Sequence, residues 1–123
     1  MVVGIPMYQS ITEYHADLRA GSTSVRATCE AFYERIERLD SRIGAYLTLD
    51  REAALARAEE LDLELQSGAA RSRPLLGVPL AVKDVLSTYG IRTTCGSKIL
   101  PKYNPPFTAS AVLAPAIALM VAC

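Results

Sequence analysis

The chain has 123 residues, of which 50% are hydrophobic and 21% charged, and its 13 basic residues balance 13 acidic residues. A chain of this length and composition can bury the core of one domain, which excludes global disorder. A net charge of zero provides no long-range field toward phosphate groups, so direct nucleic-acid binding is a poor candidate function. Twelve of the acids lie in residues 1–65, whereas residues 66–123 hold one acid and six bases. We therefore expect solvated helices first and a buried core afterwards.

Two helices are predicted first, from capping residues and apolar spacing. Ser10 and Glu13 form a capping box, and the helix that follows is predicted to end at Gly21. A second helix is predicted to begin within residues 22–24 and to end at Gly44. Its apolar stripe, at spacings of 4, 3, 4, 3 and 4, consists of Val25, Cys29, Phe32, Ile36, Leu39 and Ile43.

A short strand is predicted at residues 45–49, followed by a third helix with Asp50 as its N-cap. The core-facing residues of this helix, at spacings of 4, 3 and 4, are Ala54, Ala58, Leu61 and Leu65. The helix is predicted to stop near Gly68, and residues 68–74 are predicted to form a polar linker that ends in proline. Residues 10–66 thus form a predicted helical region.

The second half of the chain is mainly apolar. Residues 75–86 predict a strand that is buried on both faces, although Pro79 cannot donate a ladder hydrogen bond and the paired part is predicted to begin after it. Residues 91–98 are predicted to form a loop held by small and hydroxylated side chains. Residues 109–123 are fewer than the ~20 that cross a bilayer. Because Pro115 also interrupts them, they predict a core helix and not a membrane span.

Lys83 lies near the end of this predicted buried strand. An isolated ammonium group is costly to bury, and loss of its proton removes that cost. An uncharged lysine is a base, so Lys83 is a candidate general base. The alternative is that the strand emerges into solvent at Lys83 and Asp84, whose charges are then simply hydrated. Neither a glycine-rich phosphate loop nor a G-x-S-x-G elbow is present in the sequence.

Other residues with catalytic or metal-binding side chains form no such pattern. The three cysteines stand at wide spacings and the single histidine is His15, so neither a zinc site nor a disulfide framework is predicted. His15 is expected on an exposed helix face. Cys95 is expected to pack, because no histidine can be assigned as its base. Ser97 and Lys98 do not form a dyad, because neighbouring side chains of an extended chain point apart.

Two segments of the sequence carry a family resemblance. Residues 76–84, LGVPLAVKD, and residues 90–100, GIRTTCGSKIL, resemble the start of the amidase signature family. The upstream runs ITEYH, YERI and GAY are similar as well, so that the resemblance covers about residues 8–112. Within the family, the run TTCGSKIL is most similar to the A subunits of glutamyl-tRNA(Gln) amidotransferases.

For the fold, the resemblance implies an α/β architecture: N-terminal helices plus the first strands of the mixed sheet of an amidase, incomplete within this chain. It implies that residues 1–123 are the N-terminal part of a single amidase domain. Residues 10–66 would be its helical region, and residues 75–123 would be the start of its catalytic core.

For the chemistry, the resemblance implies a Ser–Ser–Lys triad whose lysine matches Lys83. The neutral lysine takes a proton from a bridging serine, the nucleophilic serine attacks an amide carbonyl, and ammonia leaves before water resolves the acyl-enzyme. Thr94, Gly96 and Ser97 are expected to shape the loop near Lys83. Neither triad serine is matched, because no Gly-Gly-Ser-Ser-Gly-like run occurs in residues 1–123.

We therefore expect this chain to be an amidase fragment that is inactive alone, so that its own status as an enzyme stays open. The parent reaction would be glutamine amide hydrolysis that supplies ammonia for converting Glu-tRNA(Gln) to Gln-tRNA(Gln). Two alternatives remain: a stand-alone amidase acting on another small amide, or a non-catalytic remnant or interaction fragment whose helices bind a partner.

The resemblance also implies the partners of such an amidotransferase. Other subunits of a heterotrimer would bind the chain, and tRNA would be contacted only through a partner subunit. That partner would use ATP and Mg²⁺, so no cofactor is expected in this chain. No membrane association is expected, and the N-terminus lacks the basic and apolar regions of a signal peptide, which indicates a cytoplasmic protein with reduced thiols.

Overall fold

A computed structural model describes residues 8–68, 73–113 and 119–122 of the chain. The elements in chain order are α1 (Ile11–Ala20), α2 (Val25–Ile43), β1 (Thr48–Leu49), α3 (Arg51–Gln66), β2 (Pro79–Val82), α4 (Ser110–Leu113) and β3 (Leu119–Ala122). The described residues therefore combine a helical first half with a small sheet, which agrees with the α/β class expected from the sequence.

The N-termini of the three long helices are capped by the predicted residue types. Ser10 Oγ accepts a hydrogen bond from the Glu13 amide at 3.1 Å, and the Glu13 carboxylate accepts one from the Gln9 amide at 2.8 Å. The helix α2 begins after Ser24, and Asp50 caps α3 by accepting from the Ala53 amide at 3.1 Å. The Ser10, Ser24 and Asp50 caps each satisfy an amide that the helix itself cannot pair, and these helix starts are confirmed. The predicted capping box is only half formed, because the Glu13 carboxylate binds the Gln9 amide and not the Ser10 amide.

The helices α2 and α3 pack in an antiparallel pair and supply most of the core. The Asp62 carboxylate near the end of α3 accepts from the amides of Val25 and Arg26, at 2.8 and 3.0 Å, at the start of α2. At the opposite end, the Arg51 guanidinium lies 2.6 Å from the Glu37 carboxylate. The core cluster consists of Val25, Cys29, Tyr33, Ala54, Ala58, Leu61 and Leu76.

The predicted apolar stripe of α2 is partly wrong. Phe32 is 40% exposed and Ile43 is 67% exposed, whereas Thr28 and Tyr33 are buried instead. The reason is the position of α3, which begins opposite Glu37 and so does not extend along the last turns of α2. Ile43 has no facing helix in the described part of the chain.

The strands form a three-stranded sheet in the order β1-β3-β2. β1 pairs with β3 in the antiparallel sense, and β2 pairs with β3 in the parallel sense from Pro79 opposite Leu119 to Val82 opposite Ala122. β2 is thus an edge strand in this sheet. Pro79 is its first residue, a position where the missing amide hydrogen is tolerated.

Two strand predictions need correction. The strand predicted at residues 75–86 covers only Pro79–Val82, and it is not buried on both faces, since Leu80 is 38% exposed and Ala81 is exposed. Its outer edge lacks a neighbouring strand among the described residues, which leaves these side chains accessible. Of the strand predicted at residues 45–49, only the two residues of β1 form a strand.

The apolar tail does not form the predicted core helix. A helix covers only Ser110–Leu113, and Leu119–Ala122 is a strand that pairs on both sides. Periodicity failed here because a short continuous apolar run fits a buried strand as well as a buried helix. The parts of the tail at residues 114–118 and 123, and residues 69–72 of the predicted linker, lie outside the described residues. Within the described ranges, no helix has the length and apolarity needed to span a membrane.

Candidate functional site

Lys83 directly follows β2, at the end where the parallel strands β2 and β3 finish. Its side chain is exposed, and its carbonyl oxygen accepts a hydrogen bond from the Leu86 amide at 2.9 Å. The strand therefore emerges into solvent at Lys83, and the burial assumed for its amine is not found in the described part of the chain. The assignment of Lys83 as a general base stays a prediction.

Asp84 is the polar centre of this region, and it is not hydrated as the alternative interpretation assumed. The residue is 4% exposed. One carboxylate oxygen accepts from the Thr94 amide at 2.8 Å, and the other accepts from the Thr94 hydroxyl and from the Gly96 amide, the latter at 3.4 Å. The Asp84 carbonyl oxygen accepts from the Cys95 amide at 3.1 Å. Asp84 thus binds the turn at residues 94–96.

The carboxyl group of Asp84 is held in its ionised form by these donors. Burial by itself raises the pKa of the Asp84 carboxyl, but the hydroxyl and amide of Thr94 and the amide of Gly96 stabilise the charged form more strongly. The positive charge of Arg92 acts in the same direction, so the pKa of Asp84 lies below its ordinary value. The sequence alone does not predict this role, because a single aspartate after a strand does not identify its donors.

The loop residues expected near Lys83 divide into two groups. Thr94 and Gly96 contact Asp84 directly, whereas the Ser97 hydroxyl accepts from the Ile99 amide at 3.1 Å inside its own turn. Cys95 is exposed, so the expected packing role is wrong for this residue. Its φ of 53° lies in the left-handed region, which lets three successive amides of the turn face Asp84.

Arg92 joins the same loop to the first strand of the sheet. Its Nε donates to the Thr48 hydroxyl at 3.1 Å, one Nη donates to the Pro101 carbonyl at 3.4 Å, and the other donates to the Leu47 carbonyl. The guanidinium therefore connects two separate segments of the chain, residues 47–48 and Pro101. The sequence alone does not predict this role either, since it depends on which elements become neighbours.

The segment before β2 is held by two aromatic side chains of α1. The Tyr14 hydroxyl donates to the Gly77 carbonyl at 2.9 Å, and His15 Nε2 lies 2.8 Å from the Leu76 carbonyl. His15 is half-buried, so the prediction of a purely exposed histidine is wrong. Burial raises the pKa of Tyr14, so its hydroxyl keeps the proton that it donates. Lys83 therefore follows a strand whose entrance is anchored to α1.

No group of three or more His, Cys, Asp or Glu side chains within the described ranges is arranged to hold a metal ion. The region near Lys83 instead combines an exposed amine, a buried carboxylate and a hydrogen-bonded turn. Such a set can present a base to an incoming hydroxyl group, but the described residues place no nucleophilic serine beside it.

Comparison with known proteins identifies the family. The model of the family described as Amidase matches residues 27–114. The chain belongs to the amidase family. Its fold agrees with solved amidases: it is similar to the peptide amidase of Stenotrophomonas maltophilia, with a TM-score of 0.81 and 30% identity over 94% of this chain and 24% of that one. An amidase family protein of Bacillus anthracis shares the fold, with a TM-score of 0.82 and 21% identity, over 94% of this chain and 23% of that one.

Curated relatives are similar at the level of a particular amidotransferase component. The chain is 48% identical over 90 residues to the A subunit of glutamyl-tRNA(Gln) amidotransferase from Desulfosudis oleivorans, covering 73% of this chain and 18% of the relative. It is 42% identical over 103 residues to the corresponding A subunit from Geobacter sp. (strain M21), covering 84% of this chain and 21% of the relative. The chain thus spans about a fifth of the length of these relatives.

Proposed function

We propose that this chain supplies the general-base lysine of an amidase, and that Lys83 is that residue. The observation that carries the proposal is the position of Lys83: it is exposed at the end of a parallel strand, in a chain that belongs to the amidase family. In parallel α/β sheets, reacting groups gather beyond the carboxyl ends of the strands. Residues 1–123 would form the N-terminal part of one amidase domain, with helices at 10–66 and the start of the catalytic core at 75–123.

The proposed reaction is serine-based amide hydrolysis. A bridging serine passes its proton to the uncharged amine of Lys83 while it takes the proton of the nucleophilic serine, whose oxygen then attacks the amide carbonyl. Ammonia leaves with a proton returned along the same path, and water hydrolyses the acyl-enzyme. Both serines would come from polypeptide outside residues 1–123, which contain no Gly-Gly-Ser-Ser-Gly-like run. The 123 residues alone are then inactive.

The proposed substrate is the side-chain amide of glutamine. The support is the similarity, at 42–48% identity, to proteins named as the A subunit of glutamyl-tRNA(Gln) amidotransferase. The ammonia would be delivered to a partner subunit of a heterotrimer that uses ATP and Mg²⁺ on glutamyl-tRNA, so this chain would need no cofactor and would contact tRNA only through that subunit. The complex would act in the cytoplasm.

A second candidate is a stand-alone amidase that acts on another small amide. It is favoured by the similarity in fold to the peptide amidase of Stenotrophomonas maltophilia, at 30% identity. The two candidates share Lys83 and differ in the substrate.

The test is a chimaera in which residues 8–112 replace the matching segment of the A subunit from Desulfosudis oleivorans, assembled with that organism's other subunits. Ammonia release from glutamine is measured for the chimaera, for Lys83→Ala and for Lys83→Arg. We expect both substitutions to lower kcat by at least ~100-fold, because general-base catalysis contributes about 10²–10⁴-fold. Lys98→Ala is the matched control, since Lys98 is also exposed in the same region.

Retention of glutamine-dependent ammonia release in the folded Lys83→Ala chimaera would contradict the role of Lys83.

A further inference from the structure

Asp84 and Lys83 are neighbours in sequence but lie on opposite sides of the chain. Val82 and Asp84 are buried, whereas Lys83 between them is exposed. Successive side chains of an extended chain alternate in direction. The side that Asp84 occupies therefore determines the side to which Lys83 is directed.

The burial of Asp84 is enforced by a cradle of donors. The amides of Thr94, Cys95 and Gly96 all donate to Asp84, the first and third to its carboxylate and the second to its carbonyl oxygen. The Thr94 hydroxyl adds a fourth donor. Consecutive amides arranged in this way form an anion-binding nest. The nest depends on the left-handed φ of Cys95, a conformation that is unfavourable for a residue other than glycine.

The backbone of Lys83 is fixed on both sides of the residue. On one side, Val82 is paired opposite Ala122 in the sheet. On the other, the Lys83 carbonyl accepts from the Leu86 amide at 2.9 Å, in the turn that also contains Asp84. Only the side-chain torsions of Lys83 remain to be ordered when a hydroxyl group approaches its amine. A base held in this way loses less conformational entropy on binding its partner.

We propose that Asp84 is a positioning residue for Lys83: its carboxylate, bound by the turn at residues 94–96, keeps the lysine directed away from the protein interior and toward the serines of the amidase. This inference rests on the proposed function, because orienting Lys83 matters for catalysis only if Lys83 is the general base. The geometry that it asserts, in which Asp84 sets the environment of Lys83, is measurable without any catalysis.

The experiment uses the full chain with its lysines converted to ¹³C-dimethyl-lysine and observed by NMR. The chain has three lysines, and Lys83→Arg identifies the Lys83 signal. In Asp84→Asn, an amide NH₂ replaces an accepting oxygen, so at least one donor of the turn loses its partner. We expect the Lys83 signal to shift, and we expect hydrogen exchange at Thr94 and Gly96 to accelerate at least ~10-fold, as loss of a charge-assisted bond would cause.

Asp62→Asn is the matched control, because Asp62 also accepts two backbone amides from a remote segment, those of Val25 and Arg26. This variant should accelerate exchange at Val25 and Arg26 and leave the Lys83 signal in place. An Asp62→Asn variant that moves the Lys83 signal as far as Asp84→Asn would overturn the proposal, since the effect would then be global. So would an unmoved Lys83 signal in a folded Asp84→Asn chain.

If Asp84→Asn does not fold, Thr94→Val removes a single hydroxyl donor and should shift the Lys83 signal in the same direction by a smaller amount. An unmoved signal in Thr94→Val contradicts the proposal.

The chimaera with the A subunit gives the kinetic counterpart: in it, Asp84→Asn is expected to lower kcat for glutamine and to leave KM unchanged. An active Lys83→Ala chimaera would refute the proposed function while leaving the NMR result intact, so the two failures are distinguishable.

Discussion

Gly77 lies where the segment before β2 meets the helical core, and the approach is close enough to exclude a side chain. Its φ is 71°, and a Cβ placed there would lie 2.7 Å from a methyl carbon of Val25, which is fully buried. The same residue accepts the hydrogen bond of Tyr14 through its carbonyl oxygen. Both the backbone conformation and the packing therefore require glycine at this position.

We expect Gly77→Ala to lower the free energy of unfolding by about 2–4 kcal/mol, the sum of left-handed strain and overpacking. Gly90→Ala is the matched control, since Gly90 has a φ of 76° but open space around its Cβ position. It should cost only the backbone part, about 1–2 kcal/mol. Urea denaturation of the two variants measures the difference, and equal losses would show that Val25 moves aside without cost.

Asp84 also makes stability depend on pH at the level of one residue. Its pKa is lowered in the folded chain, so the ionised carboxylate stabilises the fold at neutral pH. That contribution is fully present above the ordinary pKa of 3.8, and it is lost as the pH falls through the lower pKa that Asp84 has in the folded chain. Denaturation series from pH 5 downward should therefore show a shallower loss of stability in Asp84→Asn than in the unaltered chain. Parallel curves would mean that the turn at residues 94–96 does not favour the charged form.

At the scale of the elements, the pair formed by α2 and α3 supplies most of the buried core of the described structure. Leu61 is completely buried between the helices, while Leu63, two residues later, is 65% exposed. We expect Leu61→Ala to lower the free energy of unfolding by about 2–5 kcal/mol through lost burial and a cavity. Leu63→Ala should change it by less than about 0.5 kcal/mol. Chemical denaturation checks both values, and similar losses would contradict the observed packing.

Helix starts were predictable from the sequence because a cap is a local device. Ser10, Ser24 and Asp50 each bond to an amide three residues later, and no distant part of the chain is needed. Strand β3 was not predictable, because Leu119–Ala122 is a short apolar run without polar alternation, and only its pairing with β1 and β2 distinguishes strand from helix. Buried contacts between elements decide such cases.

The candidate site likewise contains one residue that the sequence indicates and others whose roles it does not predict. Lys83 is a candidate general base because of its place after an apolar run and because of the family resemblance. Asp84, its sequence neighbour, was assigned only to solvent, because its donors come from residues 94–96 and their convergence is a tertiary feature. His15 and Arg92 were missed for the same reason, since each binds a carbonyl group more than forty residues away.

At the scale of the whole molecule, large apolar side chains are exposed both before and after Lys83 in the sequence. Leu80 is 38% exposed, Val85 is 51% exposed and Ile99 is 89% exposed. In our proposal, the polypeptide that carries the serines covers this surface and removes water from around the amine, which favours its uncharged form. In this proposal, Lys83 is exposed in the 123 residues alone, and it acts as a base once the polypeptide that carries the serines covers it.

The most direct test of this account is chemical rescue in the chimaera that carries Lys83→Ala. Ammonia release from glutamine is measured while small primary amines such as ethylamine are added. We predict that the variant is inactive by itself and that added amine restores part of the rate in proportion to its uncharged form. An Asp62→Asn chimaera, which keeps Lys83, should gain nothing from the amine. Full activity of Lys83→Ala without any added amine would contradict the account.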